Sequence, residues 1–183
     1  FLFNSLICMV AMSAILAFVT LAPGWIMTEL GGSVSDFTFW FTLNAIVSIV
    51  ASFIAPLYIK RHSQKALRIG MSLLIFSGVL ILILGQFKSA FAFMLPVLIA
   101  ALGFALSLGS AAGMALSHFA KQAGTASALI GLMQMSGAGV LVMLTQVLPF
   151  NAPEFIACHL LLLLPLWVIL LSNKAHAYHP KNT

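Results

Sequence analysis

A chain of 183 residues that is 62% hydrophobic and 6% charged has too little polar side chain to coat a water-soluble domain, where about a quarter of residues carry charge. Its net charge of +5 comes from scattered lysines and arginines rather than a basic tract, which argues against a nucleic-acid-binding arm. The eight Lys and Arg and three Asp and Glu residues leave uncharged stretches at 1–28, 37–59, 69–87, 89–120, 122–153 and 155–173, each about the length at which an apolar helix crosses roughly 30 Å of hydrocarbon.

Taken in chain order, these stretches predict an all-α integral membrane fold with six transmembrane helices near 4–28, 37–59, 67–86, 90–117, 124–148 and 154–172. They form one half-domain over 1–173, followed by a polar tail over 174–183. Helices satisfy their own backbone in lipid, whereas runs such as LLIFSGVLILILG (73–85) lack the alternation of a barrel strand. The chain opens inside an apolar run without an initiator Met, and so reads as a piece of a longer protein. GGSVSD (31–36) is the first turn, with Asp36 expected to cap the second helix. KRHSQK (60–65), QFKS (86–89), HFAKQAG (118–124) and PFNAP (149–153) are the remaining loops. Pro23, Pro56, Pro96 and Pro165 fall inside spans, where neighbouring groups can re-satisfy the freed backbone. Cys8 and Cys158 fall near opposite faces of the bilayer, too far apart for a disulfide.

The loops sort the charges. Lys60, Arg61, Lys65, Arg68, Lys121, Lys174 and Lys181 fall on one side; Lys88, Glu29, Asp36 and Glu154 fall on the other. The positive-inside rule then places both ends of the segment in the cytoplasm. The basic loop carrying Lys60, Arg61, Lys65 and Arg68 has no acid of its own. It sets orientation and offers cations to anionic lipid. Gly109 and Gly113 form a GxxxG on the fourth helix, and Gly131 and Gly137 thin the fifth; small residues let helices pack closely in lipid.

Several segments resemble a known family. Phe41-Thr-Leu-Asn44-Ala45 with the following loop KRHSQKALRIG (60–70), Ala17-Phe18-Val-Thr20-Leu-Ala-Pro23 in the first span, and Ala115-Leu116-Ser-His-Phe119 with AGTASALIGLMQ (123–134) together resemble the bicyclomycin/chloramphenicol-resistance branch of drug:proton antiporters in the major facilitator superfamily. The resemblance covers essentially the whole chain and corresponds to helices seven to twelve, the C-terminal half of a twelve-helix fold. It implies multidrug efflux by alternating access in a bacterial inner membrane. The partners it implies are the lipid bilayer, an N-terminal six-helix half, hydrophobic small molecules and protons; the charge pattern gives no nucleic-acid partner, and no phosphate loop, metal cluster or flavin motif points to a cofactor or metal. Where many members carry Pro-Asn in the tenth helix, this chain has Gly109-Ser110.

No Asp, Glu, Lys or Arg falls in mid-membrane, and the resemblance implies that the proton-coupling acid belongs to the N-terminal half. What remains for a substrate path is uncharged. In the resembled fold the first and fourth helices of this half line the cavity, which points to Phe18, Thr20 and Pro23, and to Ser107, Ser110 and Met114. Asn44 shares a helix face with Ser48 and Ser52, four residues apart, and Gln134 is a further polar group in a span. The same polar groups also serve interhelical hydrogen bonding, and the Phe and Met serve packing.

Two other functions compete. A six-helix scaffold or receptor subunit would need no path. An intramembrane protease would need a nucleophile beside a base, and Ser110 and His159 are the best candidates. Their predicted positions differ in depth by about 12 Å, which argues against an enzyme.

Overall fold

The computed structural model describes residues 1–172; the tail over 174–183, with Lys174, Lys181, His176 and His179, lies outside the described residues. Among the described residues the fold is helical with no strand. Five helices are long and apolar enough to cross a membrane: α1 (Leu2–Glu29), α2 (Val34–Leu84), α3 (Ala90–Leu116), α4 (Ala120–Thr145) and α5 (Ala152–Leu171).

The 51 residues of α2 would reach about 76 Å if straight, more than twice the hydrocarbon thickness. They do not run straight. His62 breaks the helix at φ −141°, ψ 51°, and the neighbours of α3 show that the chain turns back there. In the first arm, 34–61, Trp40 meets Phe91 with ring centroids 6.0 Å apart, and Ile59 lies against Gly109. In the second arm, 63–84, Gly70 lies against Ser107, Leu74 against Gly103, and the Ser77 hydroxyl donates to the Pro96 carbonyl at 2.6 Å. The first arm therefore ascends with α3 and the second descends. The fold crosses six times with five helices because KRHSQK (60–65) is helical rather than a loop, interrupted at His62. Tyr58 stacks on the His62 ring at 5.3 Å beside the break.

α1 runs antiparallel to α3, with Phe1 on Phe119 (5.3 Å) at one end and Phe18 and Trp25 near Phe93 at the other. α5 runs antiparallel to the second arm of α2. Gly85 abuts Pro153, Gly78 abuts Leu160, and the Trp167 indole donates to Ser72 at 3.1 Å. α4 closes the bundle by setting Gly137 on the Met9 side chain and Thr145 on His159.

Two ends follow. Lys60, Arg61, Lys65, Arg68 and Lys121 gather at one, all exposed. Glu29, Asp36, Lys88 and Glu154 gather at the other. Ser33, not Asp36, is the N-cap of α2: its hydroxyl accepts from the Asp36 N–H, while the Asp36 carboxylate accepts from the Ser33 N–H at 2.8 Å. Asn151 and Glu154 repeat this reciprocal box at the start of α5. Each box satisfies N–H groups that a helix start leaves without partners. Gly31 makes the α1–α2 turn at φ +67°, a conformation open to glycine at little steric cost.

The core lies where α1, the second arm of α2, α3 and α5 meet. Ile7, Leu67, Met71, Leu74, Met94 and Leu160 are fully or almost fully buried there. Gly70 and Gly103 set the closest approach, since a Cβ on Gly70 would lie 2.7 Å from the Ser107 backbone nitrogen and 2.9 Å from the Gly103 carbonyl. α4 is the least buried helix. It carries a π-helical stretch at Met133–Gly137, and α1 ends in another at Trp25–Glu29. Cys8 and Cys158 are both free.

Candidate functional site

A cavity of about 470 Å³ opens between α1, the first arm of α2 and α3, with α5 behind it. That volume falls within the range of small-molecule sites. Its wall is aromatic and aliphatic. Phe18 from α1 stacks on Phe41 from α2 with centroids 5.4 Å apart and planes within 10°, and Phe104 faces in from α3. The stacking fixes the Phe18 ring by contacts on α2 as well as on Phe93 of α3.

One stripe of the wall is polar. Asn44, Ser48 and Ser52 line the cavity from α2, and Pro56 follows one turn on. The spacing of four keeps all four on one helical face. The Ser52 hydroxyl donates to the Ser48 carbonyl at 2.7 Å. The Asn44 side-chain oxygen is buried with no hydrogen-bond partner. In a packed interior an orphaned amide oxygen costs about 1–3 kcal/mol. None of the wall residues is ionisable.

The structure brings together some of the residues picked from sequence and separates others. Phe18, Asn44 and Gly109 lie on the wall. Thr20 is exposed on α1, and Pro23 is half-buried beyond the cavity toward the acidic end. Ser107 and Ser110 are fully buried, but neither lines the cavity. Ser107 abuts Gly70, and both hydroxyls lack partners. Met114 is half-buried against the core near the basic end. Gln134 sits half-buried in the π-helical stretch of α4, away from the wall. Gly109 and Gly137 are close contacts, on Ile59 and Met9; Gly113 and Gly131 face open space. Sequence reasoning did not pick Phe41, Pro56 and Phe104. Pro56 was legible as the next step of the Asn44–Ser48–Ser52 spacing, whereas nothing distinguishes Phe41 and Phe104 from the other phenylalanines.

Two of the three carboxylates are committed to capping boxes. His159, fully buried in α5, is also committed: Nδ1 faces the Phe155 carbonyl at 2.8 Å and so carries the proton, and Nε2 lies 3.1 Å from the Thr145 hydroxyl. The ring ties α5 to α4. Ser110 makes no hydrogen bond to it.

This is a multi-pass helical membrane protein with an apolar, small-molecule-sized cavity. Over most of its length the chain is similar to bacterial multidrug resistance proteins. It is 27% identical to the multidrug resistance protein MdtL of Klebsiella pneumoniae strain 342 over 174 residues, which is 92% of this chain and 44% of that protein. It is 28% identical to MdtL of Citrobacter koseri over 152 residues, 83% of this chain and 38% of the relative. It is 30% identical to MdtL of Salmonella heidelberg over 142 residues, 78% and 35%. The resemblance to drug antiporters read from the sequence is thus borne out, and the chain spans less than half the length of these relatives. They are named as multidrug resistance proteins, not as enzymes. No family model and no solved structure matches the chain.

Proposed function

We propose that the chain is the C-terminal half of a secondary active transporter that expels hydrophobic small molecules from a bacterial cell by drug/proton antiport. The observation that carries this reading is the cavity with its aromatic wall and single polar stripe, on a chain similar to multidrug resistance proteins. Packing alone would favour filling such a space with side chains, since each unfilled volume in a core costs stability. A purely structural scaffold has no use for it.

The path is completed by an N-terminal six-helix half, which also brings the proton-coupling acid. Neither Asp36 nor Glu154 is available for that role, because each holds a helix start. The two halves rock about the cavity to give alternating access. The basic end, with Lys60, Arg61, Lys65 and Arg68, faces the cytoplasm of the inner membrane, as does the chain's C-terminal end.

The test uses cells stripped of their own efflux pumps. They express the chain alone, or with the N-terminal half of a multidrug resistance relative on a second polypeptide. Accumulation of a lipophilic fluorescent dye is followed with and without a protonophore. Lower accumulation with both halves, abolished by the protonophore, is the expected result. Unchanged accumulation with both halves properly inserted would refute efflux. Equal export by the chain alone would refute the assignment of the acid.

A further inference from the structure

Resting on the reading of this cavity as a drug path, we infer that it takes lipophilic molecules bearing a carbonyl-type hydrogen-bond acceptor, with Asn44 as the specificity-determining residue that donates to it.

The two ends of the Asn44 amide stand in different surroundings. Its oxygen is sealed, whereas its nitrogen is the accessible end on the cavity wall. No group among the described residues accepts from that nitrogen, so both of its N–H groups are open to a ligand. The reverse orientation would seal two donors without an acceptor, and buried orphan N–H groups are rarer than underpaired carbonyls. One turn on, the Ser48 hydroxyl also has no hydrogen bond among the described residues and keeps its proton for a ligand. The Ser52 hydroxyl has spent its own on the Ser48 carbonyl at 2.7 Å. The free donors of the polar stripe therefore gather at its Asn44 end. Phe41, which stacks on Phe18, lies one turn before Asn44 on the same helix.

A wall with free donors discriminates by what a ligand leaves unpaired. A ketone, ester or amide oxygen has two lone pairs and can accept from Asn44 and from Ser48. A molecule of the same shape without that oxygen excludes water from the donors and gives them nothing in return. The Phe18 and Phe41 rings supply contact area for a flat apolar body, and the acceptor at its edge meets the amide. This selection sets no condition on charge, which falls to the acid of the proposed N-terminal half.

The experiment uses the purified chain in lipid nanodiscs, with partition into empty nanodiscs subtracted. Two probes of one shape are titrated by equilibrium dialysis. In 2-acetylnaphthalene a ketone oxygen accepts; in 2-isopropenylnaphthalene a methylene group stands in its place and does not. The ketone is expected to bind about tenfold tighter than the alkene. Asn44→Leu, of nearly the same volume, is expected to remove most of that ratio, and Ser48→Ala to lower it by a smaller factor. Asn44→Ala takes the place of Asn44→Leu if the latter does not fold. Equal binding of the two probes by the unaltered chain overturns the donor assignment while leaving a ligand cavity in place. So does a ratio unmoved in a folded Asn44 variant. Binding of neither probe overturns the cavity reading itself, and this inference with it.

Discussion

Replacing Gly70 with alanine should separate the second arm of α2 from α3. A Cβ there would lie 2.5 Å from the Ser107 hydroxyl, 2.7 Å from the Ser107 backbone nitrogen and 2.9 Å from the Gly103 carbonyl. The hydroxyl can rotate away, but the two backbone atoms cannot. Reaching an ordinary contact of about 3.4 Å means a retreat of about 0.7 Å, and a gap of that size forfeits a quarter to a half of each facing dispersion contact. Leu67, Met71 and Leu74, all 0% exposed, lie along the same crossing. Overpacking of this kind costs about 3 kcal/mol, offset by about 1 kcal/mol of helix propensity gained over glycine, leaving a loss of about 2 kcal/mol. Gly113→Ala is the control, because nothing lies within 4 Å of its Cβ position. It should be neutral, or stabilising by up to about 1 kcal/mol. The measurement is reversible unfolding of the purified chain in mixed micelles of rising sodium dodecyl sulfate fraction, followed by tryptophan fluorescence. Equal midpoints for the two variants would refute the close crossing. So would rescue of Gly70→Ala by Ser107→Ala, which removes the hydroxyl but not the backbone clash.

The reversal of α2 predicts two cross-links that a straight helix could not both form. With Cys8 and Cys158 replaced by serine, cysteines at Trp40 and Phe91, or at Ser77 and Pro96, should each be joined by a short bifunctional thiol reagent; positions 40 and 77 would lie about 55 Å apart on a straight helix. Ser77→Ala removes the 2.6 Å bond to the Pro96 carbonyl and should cost about 1 kcal/mol in the same unfolding assay, with no loss expected for the exposed Ser117→Ala. Exchanging Lys60, Arg61, Lys65 and Arg68 together for glutamine should give a mixture of orientations, read by labelling a cysteine at Ser63 from either side of the membrane. A single orientation after the exchange would show that other charges set the topology.

Much of this fold is written in the spacing of charges, because hydrocarbon tolerates so few of them. The number of crossings and the sorting of charge to two ends follow from that alone. Local detail is less legible. KRHSQK looks like a loop because it is polar, yet helix formers such as Arg61 before His62 and Lys65 after it keep it helical on both sides. The site was legible only in its polar part. Asn44, Ser48 and Ser52 stand out because polar groups are rare in spans and their period is regular. Ser107 and Ser110 stood out for the same reason, yet both are buried off the cavity wall, Ser107 at the crossing with Gly70. Sequence gives the period of a face but not what lies opposite it. Phe41 and Phe104 could not have been chosen among fifteen phenylalanines without the packing of α2 on α3.

The capping boxes have a consequence for energy conversion. Asp36 and Glu154 are bound to helix starts at one end, and the basic cluster of α2 lies at the other. Among the described residues, no lysine, arginine, aspartate or glutamate lies between them in mid-membrane. A membrane potential performs work only on charge that moves through it, about 2.3 kcal/mol per elementary charge for each 100 mV. If the bundle rocks as proposed, it does so with almost no electrical work of its own. In the proposed transport cycle, any voltage dependence therefore enters with the ligand or with groups outside the described bundle.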